Sequence, residues 1–339
     1  MSIAEKLTTI AENEQKVYEA GAKKGLSSVE RVLSSGYTDY SYFFYVCKDM
    51  ATVPAELLGH SSQGTNFSYM FDGCSNLTEV PLFDTSNGTN FNSMFKGCSK
   101  LTKVPLFDTS KATTFSNMFS DCTKLTEVPL FDAPQVTSFS NMFYNCYGLK
   151  SIPAMTLRGN CSSMFSGAYM IRMIDPLLDV SQVTNFGNMF SGAYFDSVPY
   201  LNCESGTSFA NMFYQSAVKE IAGLNTPKGT GFNYIFSGCT ALKTVGGIDL
   251  SSVTGTFTNL FQSCSALENL TIWGSIQGNN LNVSPCTKLT HDSLMSIINA
   301  LADISDSGTT KSVVFGSTNL AKLTEEEKLI ITNKGWNYS

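Results

Sequence analysis

A two-residue anchor recurs along most of this chain, and repetition at a near-fixed spacing limits the possible folds more than any other sequence feature. The pairs Phe43-Phe44, Met70-Phe71, Met94-Phe95, Met118-Phe119, Met142-Phe143, Met164-Phe165, Met189-Phe190, Met212-Phe213, Ile235-Phe236 and Leu260-Phe261 are separated by 27, 24, 24, 24, 22, 25, 23, 23 and 25 residues. Such units predict a solenoid, because one coil is too small to bury an apolar face without a coil on either side of it. The 339 residues are therefore not expected to form the two or three globules that length alone suggests.

Periods in this range match leucine-rich repeats and are shorter than ankyrin, tetratricopeptide or propeller units. The expected fold is an α/β repeat: a leucine-rich-repeat-like solenoid of about ten rungs, each a short strand plus a short helical turn. Phe67, Met70, Phe71 and Cys74 fall at i, i+3, i+4 and i+7, which places them on one helical face, and the set recurs as Phe91, Met94, Phe95, Cys98 and Phe115, Met118, Phe119, Cys122. The following Leu77-Thr78-Glu79-Val80-Pro81-Leu82 reads as the strand, with Val80 and Leu82 inward by the two-residue period. Proline cannot donate to a ladder, so the strands should be short in rungs 1 to 5 and 7. Phe83 to Ser86 and Phe107 to Ser110 then turn the chain, with Asp84, Asp108 and the related Asp132, Asp179 and Asp249 accepting from turn amides.

Three regions are expected: residues 1–36 as an N-terminal helix and linker, 37–275 as the solenoid, and 276–339 as a small α/β cap. Ile3, Leu7, Ile10, Val17 and Tyr18 lie near one stripe, so residues 3–20 read as an amphipathic helix that either docks on the first rung or drives self-association. Tyr37, Tyr40, Tyr42, Phe43, Phe44 and Tyr45 suit either closure of the core or stacking on sugar, and core closure is preferred. At the other end, 292–302 and 324–333 read as helices flanking a strand at 311–315, with Thr324 and Glu327 as a capping box.

The unit TxFxxMFxGCxxLTxVPLFDTS resembles the BspA-like leucine-rich repeats of bacterial surface proteins over about 230 residues. Ile3 to Gly21, Lys288 to Ile298 and Lys322 to Trp336 are similar to the ends of repeat proteins encoded in phages and prophages of gut Firmicutes. The middle departs from the pattern: Cys161 stands in a Phe place, and Ala168, Ala193 and Ser216 replace the repeat cysteine.

Those replacements argue against redox or metal chemistry. Cys47, Cys74, Cys98, Cys122, Cys146, Cys239 and Cys264 occupy one repeat position, and Ala at that position keeps a small volume while discarding the sulfur. There is no CxxC, and the two histidines, His60 and His291, have no ligand pattern around them. The Asp84, Asp108, Asp132 ladder lacks the alternating carboxylates of a calcium loop. No phosphate loop, GxSxG or dinucleotide fingerprint is present. No catalytic, metal or cofactor residue is assigned, no cofactor is expected, and the ligand-binding residues are left open.

Charged residues make up 15% of the chain and its formal charge is −6, with no Lys/Arg cluster, which disfavours nucleic acid. No stretch approaches the roughly 18 apolar residues a membrane span needs, and residues 1–25 are charged where a signal peptide would be apolar. The expectation is a non-enzymatic phage or prophage tail- or fibre-associated protein, made in the cytoplasm and carried on the virion, that binds a protein or surface glycan of a bacterial host. The alternative is an extracellular BspA-like adhesin or protein-interaction module.

Overall fold

The computed structural model describes residues 38–53, 58–59, 61–152 and 154–339. The expected helix at 3–20, Tyr37, Pro54, His60 and Pro153 lie outside them. The chain forms two compact units, one running to Met155 and including Gly167–Met170, the other comprising Thr156–Ser166 and Ile171–Ser339. Each is a repeat solenoid of stacked coils.

The anchor of each coil is not a helical turn. In the coil of Met70, the amides of Met70, Asp72, Cys74 and Leu77 donate to the carbonyls three residues back, those of Phe67, Tyr69, Phe71 and Cys74. The amides of Phe67, Tyr69, Phe71 and Gly73 instead donate to Asn90, Asn92, Met94 and Lys96 in the next coil, at 2.7–2.9 Å. Tyr69 and Gly73 have φ of 57° and 76°. A positive φ at the third residue of a four-residue turn is the type II signature, so the anchor is a run of tandem turns. The same two positions are left-handed in other coils: Ser93 and Gly97, Asn117 and Asp121, Asn141 and Asn145, Asn188 and Gly192, Asn211 and Gln215, Tyr234 and Gly238. Phe67, Met70, Phe71 and Cys74 are nonetheless all fully buried, because tandem turns and a helix bring residues at this spacing to one side.

Apolar rings form the column inside each unit. Phe44, Phe71, Phe95, Phe119 and Phe143 stack in one series at 5.1, 5.3, 5.5 and 5.7 Å with planes within 6° of parallel. Phe165, Phe190, Phe213, Phe236 and Phe261 form the other, at 5.5–5.9 Å. Identical residues in register place like rings over like, and each pair adds roughly 0.5–1.5 kcal/mol beyond the area it buries.

The strand segment differs from expectation in a second respect. Val80 is buried but Leu82 is 68% exposed, and Leu106 and Leu130 are 60% and 57% exposed. Leu77, Val80 and Phe83 point inward, as do Leu101, Val104 and Phe107, a period of three. Pro81 and Pro105 supply no amide to a ladder, so nothing holds the two-residue pleat past them. Among the described residues of the first unit, strand-type pairing between coils is limited to isolated parallel bridges such as Asn66↔Asn90, Asn90↔Thr114 and Thr114↔Ser138.

The regular strands among the described residues belong to the second unit. β1 (Thr156–Asn160) pairs parallel with β2 (Asp179–Asn185). β3 (Ser197–Val198), β4 (Leu201–Asn202), β5 (Glu220–Ile221), β6 (Leu224–Asn225), β7 (Thr244–Asp249) and β8 (Asn269–Trp273) form one parallel sheet. β3 and β4 are separated by the Pro199 segment, whereas β7 carries Gly246-Gly247 in the corresponding place and runs unbroken for 6 residues.

The C-terminal segment leaves the repeat pattern. β9 (Leu281–Asn282), β10 (Lys311–Val314) and β11 (Trp336–Tyr338) pair in parallel, with α1 (His291–Ala300), α2 (Ser317–Leu320) and α3 (Glu325–Asn333) between them. Thr324 and Glu327 form a reciprocal capping box at the start of α3. The Lys334 ammonium donates to the carbonyls of Ile298, Asn299 and Leu301 at 2.8–3.1 Å, satisfying the end of α1.

Candidate interaction surface

The repeat cysteines line the core. Cys74, Cys98, Cys122 and Cys146 donate S–H to the carbonyls of Phe44, Phe71, Phe95 and Phe119 at 2.9–3.1 Å, and Cys239 and Cys264 do the same to Phe213 and Phe236. Burial pushes these thiols up, Cys239 to about 11 even with Ser216 bonded to it, and Cys286 to about 12. A thiol held protonated is a poor nucleophile. Ala168 and Ala193 are fully buried at the same coil position, so the site selects for small size and the thiol adds a weak hydrogen bond. All ten cysteines are buried and free of disulfides.

The aspartates serve the turns. Asp84 Oδ1 accepts from the Ser86 amide at 2.9 Å, Asp108 from the Ser110 amide and hydroxyl, and Asp249 from the Ser251 amide and hydroxyl. The bonds from Ser86 and Ser110 hold the Asp84 and Asp108 carboxyls below their usual range. Asp132 takes part through its carbonyl, which accepts from Thr109 Oγ1 at 2.7 Å. Among the described residues, no three His, Cys, Asp or Glu side chains are grouped to hold a metal ion, and no helix is long and apolar enough to cross a membrane. His291 bonds Glu327 at 2.8 Å on the exposed C-terminal segment.

Of the aromatic cluster, Tyr40, Phe43 and Phe44 are buried, while Tyr42 faces outward and stacks on Tyr69 at 4.7 Å, the planes 2° apart. The outer face of the coils carries further large apolar side chains at one repeat position. In the first unit these are Leu82, Leu106 and Leu130; in the second, Leu177 is 77% and Tyr200 53% exposed. The next two coils have Gly223 and Gly247 there, and the Trp273 indole lies over both glycines. This surface was missed by strand periodicity. The exchange of Leu or Tyr for Gly at one repeat position was the available signal.

Residues 38–155 and 159–273 match the family described as "Mycoplasma protein of unknown function, DUF285". The chain belongs to the DUF285 family. The match covers coils of both units and stops at the end of β8, before the C-terminal segment. Among solved structures, a leucine-rich repeat protein from Bacteroides ovatus is similar at 18% identity and a TM-score of 0.36, over 74% of this chain and 72% of that one. A leucine-rich repeat protein from Leptospira interrogans is similar at 10% identity and a TM-score of 0.24, over 94% and 99%. No curated protein matches the chain.

Proposed function

We propose that this DUF285 protein is a non-enzymatic binding scaffold that presents the outer face of its coils to a protein or glycan of a bacterial cell surface. The observation that carries this reading is the exposed stripe Leu82, Leu106 and Leu130, three large apolar side chains at one position of successive coils. Contiguous apolar surface on a soluble fold is the mark of an interaction site. The stacked rings and coil-to-coil hydrogen bonds make the backbone beneath it rigid, which lowers the ordering cost of binding.

A phage or prophage tail or fibre is the carrier favoured by the likeness of both termini to such proteins. A cell-surface adhesin is the second reading, favoured by the BspA-like repeat unit. The test is co-sedimentation of the labelled chain with intact cells and isolated walls of gut Firmicutes. Binding is expected for the parent and a loss of at least tenfold for the combined Leu82→Ser, Leu106→Ser, Leu130→Ser variant; equal binding by the two, or none by the parent, refutes the proposal. Self-association through residues 1–20 belongs to the same reading, and light scattering that shows the full chain and a chain starting near Gly25 both to be monomers would remove it.

A further inference from the structure

The outer face of the β3–β8 sheet carries an arrangement that goes beyond a plain apolar stripe. Parallel pairing sets Leu201 beside Leu224, Leu224 beside Ile248 and Ile248 beside Ile272 as an inward row, buried throughout. The residues before them, Tyr200, Gly223, Gly247 and Thr271, fall on the outward side by alternation. The residues after them, Asn202, Asn225, Asp249 and Trp273, make a second outward row, with Asn202 paired to Asn225 and Asp249 to Trp273. A third, Ser197, Glu220, Thr244 and Asn269, runs along the far side.

The Trp273 side chain does not stand out from this surface but lies down across it. A Cβ on Gly247 would come within 2.6 Å of the indole Nε1, and one on Gly223 within 2.7 Å of Cη2 and 3.3 Å of Tyr200 Cδ2. The Tyr200 and Trp273 rings are thereby brought to 6.2 Å between centroids, with their planes at 50°. Glycine inside a strand costs roughly 0.5–1 kcal/mol and often marks a place where something must approach the backbone closely. Here two consecutive coils carry it, and the indole occupies the space.

The polar groups beside the rings are held in place. Asn225 Nδ2 donates to Asn202 Oδ1 at 2.8 Å, and Asp249 Oδ1 accepts from the Ser251 amide at 2.9 Å and its hydroxyl at 2.6 Å. Neither polar row contains a Lys or Arg, and both contain a carboxylate, Asp249 and Glu220. Lys219, beside Glu220 in the chain, is paired with Asp196 at 2.7 Å. Charge complementarity therefore disfavours a phosphate or an acidic polymer and favours an uncharged ligand. An aromatic face flanked by amide, hydroxyl and carboxylate groups matches a pyranose ring, whose C–H face is apolar and whose edge carries hydroxyls.

We propose that Tyr200 and Trp273 form a stacking platform for a neutral hexopyranose chain, with Asn202, Asn225 and Asp249 bonding its hydroxyls. The inference rests on the reading of the coils as a binding scaffold and names the ligand class of one part of it. The full chain is titrated with cellohexaose, chitohexaose and mannohexaose and followed by tryptophan emission. Trp273 is one of two tryptophans; the other, Trp336, is buried with its Nε1 bonded to the Ala302 carbonyl, so it serves as an internal reference.

At least one hexasaccharide is expected to give a saturable emission change. Calorimetry should show the affinity reduced at least tenfold in Trp273→Ala and in Tyr200→Ala, and less in Trp273→Phe, with circular dichroism unchanged. No saturable response to any of the three, or an unchanged affinity in Trp273→Ala, overturns the proposal. The same variants in the cell co-sedimentation assay separate the two readings. Sugar titrations without response beside cell binding that survives Trp273→Ala remove the platform and leave the scaffold. Sugar binding without cell binding removes the scaffold's proposed target and leaves the platform.

Discussion

Replacing asparagine by alanine at the turn positions should destabilise this protein, whereas a helical coil would gain from the same change. Asn117, Asn141, Asn188 and Asn211 have φ of 56°, 54°, 56° and 58°. Asparagine tolerates the left-handed region, and alanine there meets its own carbonyl at a cost of roughly 1–2 kcal/mol. Allowing for the part of that cost asparagine already bears, each Asn→Ala change should lose about 1 kcal/mol, and the four together roughly 2–4, since Asn117 and Asn141, like Asn188 and Asn211, lie in adjacent coils and their effects couple. In a helix the sign reverses, since alanine is favoured over asparagine by roughly half a kcal/mol per site. Asn→Gly provides the control: glycine adopts positive φ freely but loosens the unfolded chain, so a net change within about 0.5 kcal/mol is expected. Urea unfolding followed by circular dichroism reads all three, with the midpoint as the measure because coil arrays need not unfold in one step. A higher midpoint for the fourfold alanine variant, together with a lower one for the glycine variant, would refute the tandem-turn description.

Three further outcomes follow from the packing and electrostatics. Burial raises the Asp72 carboxyl to about 6 despite Lys96 nearby, so the fold favours its neutral form; that contribution is full below pH 4 and lost as pH rises to 6, and Asp72→Asn should raise stability at pH 7 by about 1 kcal/mol, solvent screening of the half-buried group reducing the full conversion, while flattening the pH 4–6 slope in thermal melts. The folded chain should resist thiol reagents at pH 8 and titrate ten cysteines only after unfolding; rapid reaction of the native thiols would contradict their burial. Leu106→Ser should leave the thermal midpoint nearly unchanged, whereas Leu101→Ala, five residues earlier and fully buried, should cost about 2–5 kcal/mol by differential scanning calorimetry.

The repeat was legible because packing imposes it directly: a ring that stacks on its own counterpart must recur, and Phe71, Phe95 and Phe119 do. The aspartate turns were legible for a local reason, since Asp84 needs only the amide two residues on. The helical reading failed because i, i+3, i+4 and i+7 spacing describes four-residue turns as well as a helix. What separates them is the residue before each Met-Phe pair and the second residue after it, as at Asn117 and Asp121 or Asn188 and Gly192, where left-handed backbone favours Asn, Asp and Gly. Leu82 was misplaced because the two-residue period was carried across Pro81. The Tyr200–Trp273 pair could not be found by spacing at all, since 73 residues separate the two and only the register of the parallel strands, with Gly223 and Gly247 between them, brings the rings together.

The inter-coil hydrogen bonds donated by the alternate anchor amides, such as those of Phe67, Tyr69, Phe71 and Gly73, all run one way, while amides just outside the anchor, such as those of Thr65, Asn66 and Thr78, donate to the coil before. From Tyr40 to Asp121 in the first unit, and from Phe186 to Gly238 in the second, these anchor amides donate to the coil that follows. Peptide dipoles aligned head to tail sum along their axis, as they do in a helix. In the anchor peptides the N–H ends point toward the C-terminal coils, so this line of peptides in each stack has its negative pole at the N-terminal end, the reverse of an α-helix. A coil lengthening such a stack from the C-terminal side must therefore arrive carbonyls first, and two copies placed head to head would meet like pole to like pole.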